Sequence, residues 1–321
     1  MRRFLVDTDT ASDDAVALVM ALRHPDVEIE AITIVGGNVP VDQGVQNALY
    51  TVELCEQRVP VFRGAAAPLL RPLETAHSVH GDDGMGDIGL PLSGRTPAPG
   101  HAMDVIVENI DRSPGEITLV TLGPLTNVAL ALLKDPSLAE KVKECVMMGG
   151  TGRGHGNVTP VAEYNIWVDP EAAHVVFESG MPLKKVGWDV SYKYAVFDGE
   201  DSARLRNVGT PLAEFCVDIQ KVANEWSTKN SPLEGFALPD PIAMAVALDP
   251  SVATATRRCF VAVEMGGTWC RGQTVIDHLG ITDRKPNVEI VVEASRERFL
   301  ALLYEAVQGQ ARPAARELNQ T

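Results

Sequence analysis

Four aspartates crowd into eight positions near the amino terminus, in the stretch VDTDTASDDAVAL at 6–18: Asp7, Asp9, Asp13 and Asp14. Asp7 and Asp9 lie two apart after an apolar run, so on an extended chain they share a side. Asp13 and Asp14 open an apolar-periodic stretch, where a helix dipole favours negative charge. One or two acids satisfy a helix start, whether Ser12 or Asp13 is the cap. Four repel one another unless something positive sits between them, and no Lys or Arg occurs from position 4 to 22. A metal ion is the simplest counter-charge. Carboxylates without His or Cys point to a hard cation, Ca²⁺ or Mg²⁺. The stretch is not an EF-hand, because Ser12 stands where that loop needs glycine and Leu18 where it needs glutamate.

Two further groups have chemical potential. In GNVTPVAEYNIWVDPEAA at 156–173, Asn157, Glu163 and Asn165 crowd a loop before a helix. Amides and a carboxylate together offer the donors and acceptors that suit vicinal hydroxyls of a sugar. In LPDPIAMAVAL at 238–248, Asp240 precedes an apolar helix, either as its N-cap or as a late acidic metal ligand.

The elements that must position these residues alternate. Strand-like runs are predicted at Phe4–Val6, Ile29–Val35, Ile117–Leu122, Glu144–Met148, Pro182–Val190, Arg258–Glu264 and Val288–Val292. Helical patterns fall near Asp13–Arg23, Gln43–Gln57, Met103–Arg112, Gly123–Lys134, Asp169 onward, Pro211–Thr228, Pro241–Leu248 and from Ser295. The stretch Leu70–Gly100, rich in Gly, Pro and His, reads as a long loop. Such alternation argues for a mostly parallel, twisted α/β sheet flanked by helices, in one domain spanning 1–321. Ligands bind such sheets beyond the carboxyl ends of the strands. The residues delivered there are Asp7, Asp9, Asn38, the loop Gly149–Asn157 and Asp189.

Length and composition allow a large soluble core: 321 residues, 45% apolar and 22% charged. A net charge of −15 argues against nucleic-acid binding. No apolar run is long enough for a membrane span, and, with no basic-then-apolar pattern before the first strand, no signal peptide is expected. Five widely spaced cysteines give neither a disulfide framework nor a zinc motif, so a cytoplasmic location is expected.

Taken in order, DTDxxxDDAxAL, GGN at 36–38, HGxxGMG at 80–86, GPLTN at 123–127, and MGG followed by GNxxxxAExNxxxDPEAA at 148–173, with a late DP at 240–241, resemble the inosine–uridine nucleoside hydrolases. The resemblance runs from residue 4 to about 300. It implies a Rossmann-like single domain, a homodimer or homotetramer, and a small-molecule nucleoside as substrate. It also implies one Ca²⁺ that contacts the ribose 2′- and 3′-hydroxyls and the attacking water. By matching position, Asp9, Asp14, Asp240 and the carbonyl of Leu122 are implied metal ligands and Asp13 the general base. Asn38, Asn157, Glu163 and Asn165 are implied ribose contacts, His80 a histidine near the base, and Asp7 and Asp189 positioning groups.

The pattern breaks at one place. The best-known branch of the family carries a histidine immediately before the late metal aspartate, as the acid for the leaving base, and a purine-preferring branch carries tryptophan. Here Pro239 stands there, and proline donates no proton. His77 or His80 could supply the acid instead, and Trp226 or Phe236 could stack on a base. Uridine, with its poor leaving group, needs an acid most, so purine ribosides or an unusual N-riboside are expected to be favoured. Two other readings compete. A ribose-binding protein could keep the metal pocket without leaving-group activation. A Mg²⁺-dependent phosphatase of the haloacid dehalogenase type would use Asp7 of Asp7-Thr8-Asp9-Thr10 as nucleophile.

Overall fold

The computed structural model describes residues 1–308. Its frame is an eight-stranded sheet built from β1 (Arg2–Thr8), β2 (Val27–Ile34), β3 (Val61–Arg63), β4 (Ile117–Thr121), β5 (Glu144–Met148), β6 (Leu183–Val186), β9 (Ala253–Cys259) and β12 (Val288–Ala294). Two short antiparallel ribbons stand apart from it: β7 (Val196–Phe197) pairs with β8 (Phe236–Ala237), and β10 (Val261–Val263) with β11 (Thr274–Ile276). The sheet order is β3-β2-β1-β4-β5-β6-β12-β9. All neighbours run parallel except β9, which pairs antiparallel with β12 at one edge. The chain moves outward from β1 to β2 and β3, then returns to β4 on the other side of β1. That reversal opens a crevice beyond the carboxyl end of β1, where Asp7 and Asp9 lie.

Alternation along the strands divides the core in two. Phe4, Val6, Val120 and Val146 face one side, under the helices Ser12–Arg23 and Pro239–Leu248. Leu5, Leu119, Cys145 and Met147 face the other, under the helices Ala102–Arg112, Thr126–Lys134 and Pro170–Glu178. The helix Pro239–Leu248 is buried at nearly every position and packs along Ser12–Arg23, as a helix apolar all round must.

Several boundaries differ from the sequence reading, each for a local reason. The strand expected at Pro182–Val190 ends at Val186. The chain turns at Gly187 into the helix Trp188–Tyr194, and the Trp188 N–H donates to the carbonyl of Gly150. Asp189 therefore lies in a first helical turn, not on a strand. The helix expected at Pro211–Thr228 breaks into Pro211–Asp218 and Lys221–Asn230. At the break Gln220 donates Nε2–H to the carbonyl of Ser12. The run Arg258–Glu264 divides between β9 and β10, because β9 follows the sheet edge while β10 leaves it. The three-residue β3 carries too little pattern to be read. The long loop after Leu70 holds one short helix, His77–His80. Asp240 is not a cap: Leu238 is the N-cap and Asp240 sits inside the first turn. Neither Ser12 nor Asp13 caps the first helix. Ala11 holds that position, and its N–H donates to Asp14 Oδ2 at 3.0 Å.

Candidate active site

A cleft of about 600 Å³ opens beyond the carboxyl ends of β4 and β5. Asp13, Asn38, His80, Leu122, Asn157, Glu163, Asn165, Trp226 and Asp240 all line it. So residues separated by more than 200 positions converge where the resemblance requires. No lysine or arginine lines the cleft among the described residues.

The acids at its floor are buried. Carboxylate oxygens of Asp13, Asp14 and Asp240 lie within 4.8 Å of one another. Asp9 stands against them closely enough for its charge to be felt by Asp240. Its Oδ2 accepts the Asn38 N–H at 2.6 Å. Asp14 is held by Thr8 Oγ1 at 2.5 Å and by the Ala11 N–H. Gly37 makes room for this arrangement: a Cβ there would stand 2.1 Å from Asp9 Oδ2.

Burial lifts every one of these carboxyls above the ordinary range. Asp9 and Asp240 are raised well above it, by burial first and then by the neighbouring aspartates. Asp14 is raised by burial and by Asp13, and Asp13 is pushed up to about 6 by burial. Asp9 Oδ1 and Asp13 Oδ1 have no hydrogen-bond partner although both are buried. Buried polar atoms are otherwise almost always paired. Mutually destabilised carboxylates with unpaired oxygens fit a hard divalent cation. The nearest trio includes Asp13, whereas the resemblance reserves Asp13 as base and gives the ligand role to Asp9.

The ribose-side residues are tightly organised. Asn165 Nδ2 donates to the Leu122 carbonyl at 2.7 Å, so the oxygen implied as a ligand is already oriented by its neighbour. Glu163 caps the helix Tyr164–Val168 by accepting from the Asn165 and Ile166 N–H groups, and it also accepts the Gly150 N–H at 2.7 Å. Burial pushes its carboxyl up to about 7. Asn157 Oδ1 accepts the Tyr164 N–H at 2.9 Å.

Asp7 and Asp189 lie behind this layer. Asp7 Oδ1 accepts from Thr33 Oγ1 at 2.5 Å and Asn127 Nδ2 at 2.8 Å. Asp7 is fully buried and does not line the cleft. A phosphoryl group could not reach it, which overturns the phosphatase reading. Asp189 accepts the Gly152 N–H at 2.6 Å and so fixes the base of the Gly149–Asn157 loop.

The two histidines part company in the structure. His77 does not line the cleft and bonds Thr75 Oγ1 through Nδ1. His80 does line it, with Nδ1 2.9 Å from Ser12 Oγ and 3.7 Å from Asp13 Oδ1. Burial pulls its pKa down to about 4, so it is a neutral ring beside Asp13 and no imidazolium acid at neutral pH. Pro239 lines the cleft next to Asp240 and offers no proton.

The sequence reading missed the rest of the aromatic wall. Trp188 and Tyr192, one turn apart on the helix Trp188–Tyr194, line the cleft together with Trp226 and Phe236. The His155 and Tyr192 rings meet edge to face at 4.9 Å. The available signal was aromatic residues at i and i+4 after a strand end, hidden by reading that segment as strand.

Comparison with known proteins accounts for this convergence. Residues 4–301 match the family model described as inosine-uridine preferring nucleoside hydrolase. The chain is 38% identical over 306 residues to the pyrimidine-specific ribonucleoside hydrolase RihA of Salmonella paratyphi C (strain RKS4594), covering 95% of this chain and 97% of that protein. A plant nucleoside hydrolase, PpNRh1, superposes with a TM-score of 0.90 at 32% identity, covering 96% of this chain and 99% of the other. A purine-preferring ribonucleoside hydrolase from Gardnerella vaginalis does so with a TM-score of 0.89 at 31% identity, covering 96% and 98%. The chain therefore belongs to the inosine–uridine preferring nucleoside hydrolase family, N-glycosidases that cleave ribonucleosides.

Proposed function

We propose that this enzyme is a Ca²⁺-dependent N-ribohydrolase that favours purine ribosides, or other N-ribosides whose leaving group needs no strong protein acid. The observation that carries the reading is the buried set Asp9, Asp13, Asp14 and Asp240, with unpaired oxygens on Asp9 and Asp13, of which Asp13 and Asp240 line a cleft walled by amides and aromatic rings.

Asp9, Asp14, Asp240 and the Leu122 carbonyl would hold the cation. When bound, a divalent cation supplies charge that grips vicinal hydroxyls and makes a neighbouring water more acidic. Asp13 accepts the proton of the attacking water, and its free Oδ1 is the acceptor. Asn38, Asn157, Glu163 and Asn165 orient the ribose, so the anomeric carbon meets the water in line. The clustered carboxylates favour the positive charge that develops on the sugar ring as the glycosidic bond breaks. Trp188, Tyr192 and Trp226 offer faces on which a base stacks.

The base preference is argued from Pro239. The names of similar proteins divide between pyrimidine-specific and purine-preferring, and the local chemistry supports the purine side. With proline beside Asp240 and a neutral His80, no strong acid stands ready for a uracil anion. A purine can be protonated from solvent at its own ring nitrogen.

The test is ribose release from a panel of ribonucleosides, with and without EDTA, with Ca²⁺ binding measured separately. Chelator-sensitive release with inosine well ahead of uridine is expected. Uridine cleaved as fast as inosine would overturn the base preference. No release from any nucleoside by the Ca²⁺-bound protein would leave a ribose-binding protein.

A further inference from the structure

Of the seven histidines in the chain, two line the cleft: His80 and His155. His80 is buried and neutral. His155 is exposed, on the loop Gly149–Asn157, between Gly154 and Gly156. Both flanking glycines set its pose. A Cβ on Gly156 would stand 2.1 Å from the Ala162 carbonyl oxygen, and one on Gly154 would stand 3.1 Å from Asp189 Cβ. The loop is thus turned tightly on one side of His155 and pressed onto the helix Trp188–Tyr194 on the other. That packing lays the His155 ring edge to face against Tyr192, with centroids 4.9 Å apart and the planes at 86°.

A second contact orients the ring. His155 Nδ1 lies 2.8 Å from the carbonyl oxygen of Gly156. A carbonyl only accepts, so Nδ1 carries the proton of that bond, and Nε2 is the atom left to gain and give one. The titratable and charged groups around the ring are Tyr192 in ring contact, Asp189 under Gly154, and Arg153 on the same loop, whose backbone N–H donates to Asp189 Oδ2 at 3.4 Å. None of them belongs to the acids that would hold the cation. Two residues beyond His155 stands Asn157, a ribose contact in the hydrolase reading. Tyr192 belongs to the aromatic wall on which the base stacks. His155 is therefore joined to the ribose side through the chain and to the base side through its ring contact.

We propose that His155 donates a proton to the departing purine through Nε2. The role rests on the hydrolase reading and deepens it, because it gives the route by which the base takes its proton from solvent. As the bond from the anomeric carbon to purine N9 breaks, its electron pair moves into the base, and the Nε2 proton of the imidazolium passes to purine N7. The water oxygen bonds the anomeric carbon, and the water proton goes to Asp13. His155 is left as neutral imidazole and takes its next proton from solvent, which its exposure allows. The same donor serves uridine poorly. A purine presents N7 as a ring-nitrogen acceptor, whereas the ring nitrogens of uridine are taken up by the glycosidic bond and by N3–H.

The experiment compares wild type with His155→Gln and His155→Phe on inosine and on p-nitrophenyl β-riboside, whose nitrophenolate leaves without a proton. Both variants remove the proton, and the phenylalanine keeps a ring against Tyr192. In both, kcat/KM for inosine relative to the nitrophenyl riboside should fall at least about tenfold, toward the usual worth of general acid catalysis. The alkaline limb of the inosine pH profile should vanish with it. A ratio unchanged in both variants overturns the proposal: if the two rates fall together, His155 only supports the loop. Recovery of the wild-type ratio in His155→Phe overturns it as well, because the ring alone would then suffice. In ¹⁵N-histidine-labelled protein, assigned with His155→Gln, the neutral ring should be the Nδ1–H tautomer; an Nε2–H tautomer overturns the assignment of the donor atom. If wild type cleaves neither substrate, the hydrolase reading fails and this role falls with it. If wild type cleaves both and the variants match it, the hydrolase reading stands and His155 alone is overturned.

Discussion

The backbone N–H of Asn38 donates to Asp9 Oδ2 at 2.6 Å, so the residue that presents an amide to the cleft also orients an acid at its floor. The contact joins the ends of two neighbouring parallel strands, β1 and β2. It holds only because Gly37 leaves the carboxylate room.

That closeness makes Gly37→Ala a clean test of the floor. A methyl group 2.1 Å from Asp9 Oδ2 must push the carboxylate away. The protein should stay folded and lose Ca²⁺ affinity at least about tenfold, a difference of about 1.4 kcal/mol. Calorimetric Ca²⁺ titration of both proteins measures this, and unchanged affinity would remove Asp9 from the ligand set.

Asp13 should separate from its neighbours in kinetics. Asp13→Asn keeps the shape and removes the proton acceptor, so kcat should fall by about 10²- to 10⁴-fold, the usual worth of general base catalysis. Ca²⁺ binding should survive. If Asp13→Asn instead abolishes Ca²⁺ binding, Asp13 is a ligand, as its place in the closest carboxylate trio would then mean.

Metal removal should reveal itself as a pH-dependent loss of stability. Burial raises Asp7 and Glu163 to about 7 and Asp13 to about 6, and raises Asp9, Asp14 and Asp240 in the same direction. Carboxyls in the unfolded chain titrate near pH ~4. The folded protein therefore binds more protons than the unfolded one between these limits, and stability falls as pH rises through them. In EDTA the Tm should be lower at pH 8 than at pH 5. Saturating Ca²⁺ should flatten that slope, adding about 2.7 kcal/mol at a hundredfold excess over Kd. A chelated protein whose Tm is level across this range would contradict the buried-acid account.

Pro239→His should restore an acid beside Asp240. Pro239 opens the helix Pro239–Leu248, so the substitution sacrifices a favourable first-turn residue but no hydrogen bond. The ratio of kcat/KM for uridine over inosine should rise at least about tenfold, within the range of general acid catalysis. An unchanged ratio would show that leaving-group protonation does not set base preference here.

The floor of the site was legible because its residues are chemically improbable. Four acids without a cation are a statement about charge, and charge survives the step from sequence to structure. Glu163 and Asn165 were legible through spacing, although no local pattern reports that both Glu163 oxygens serve backbone amides as well. The aromatic wall was not legible. Pro182–Val190 is apolar enough to read as one strand, and the turn at Gly187 that swings Trp188 toward the cleft depends on the Gly149–Thr151 loop packed against it. His80 was placed correctly in the cleft, but its neutrality arises from burial that no local pattern reports.

The aromatic rim and the acidic floor hang from different parts of the chain. The acids sit at the ends of buried strands and on helices enclosed on nearly all sides, whereas Trp226 rides on Lys221–Asn230, a helix whose only buried residue is Ser227. Changes on that outer helix cost the core almost nothing. Under the proposed mechanism, cleavage of the glycosidic bond and choice of base are thus separable inheritances: the leaving group a descendant accepts can drift, or be engineered, while the residues that hold the ribose stay fixed.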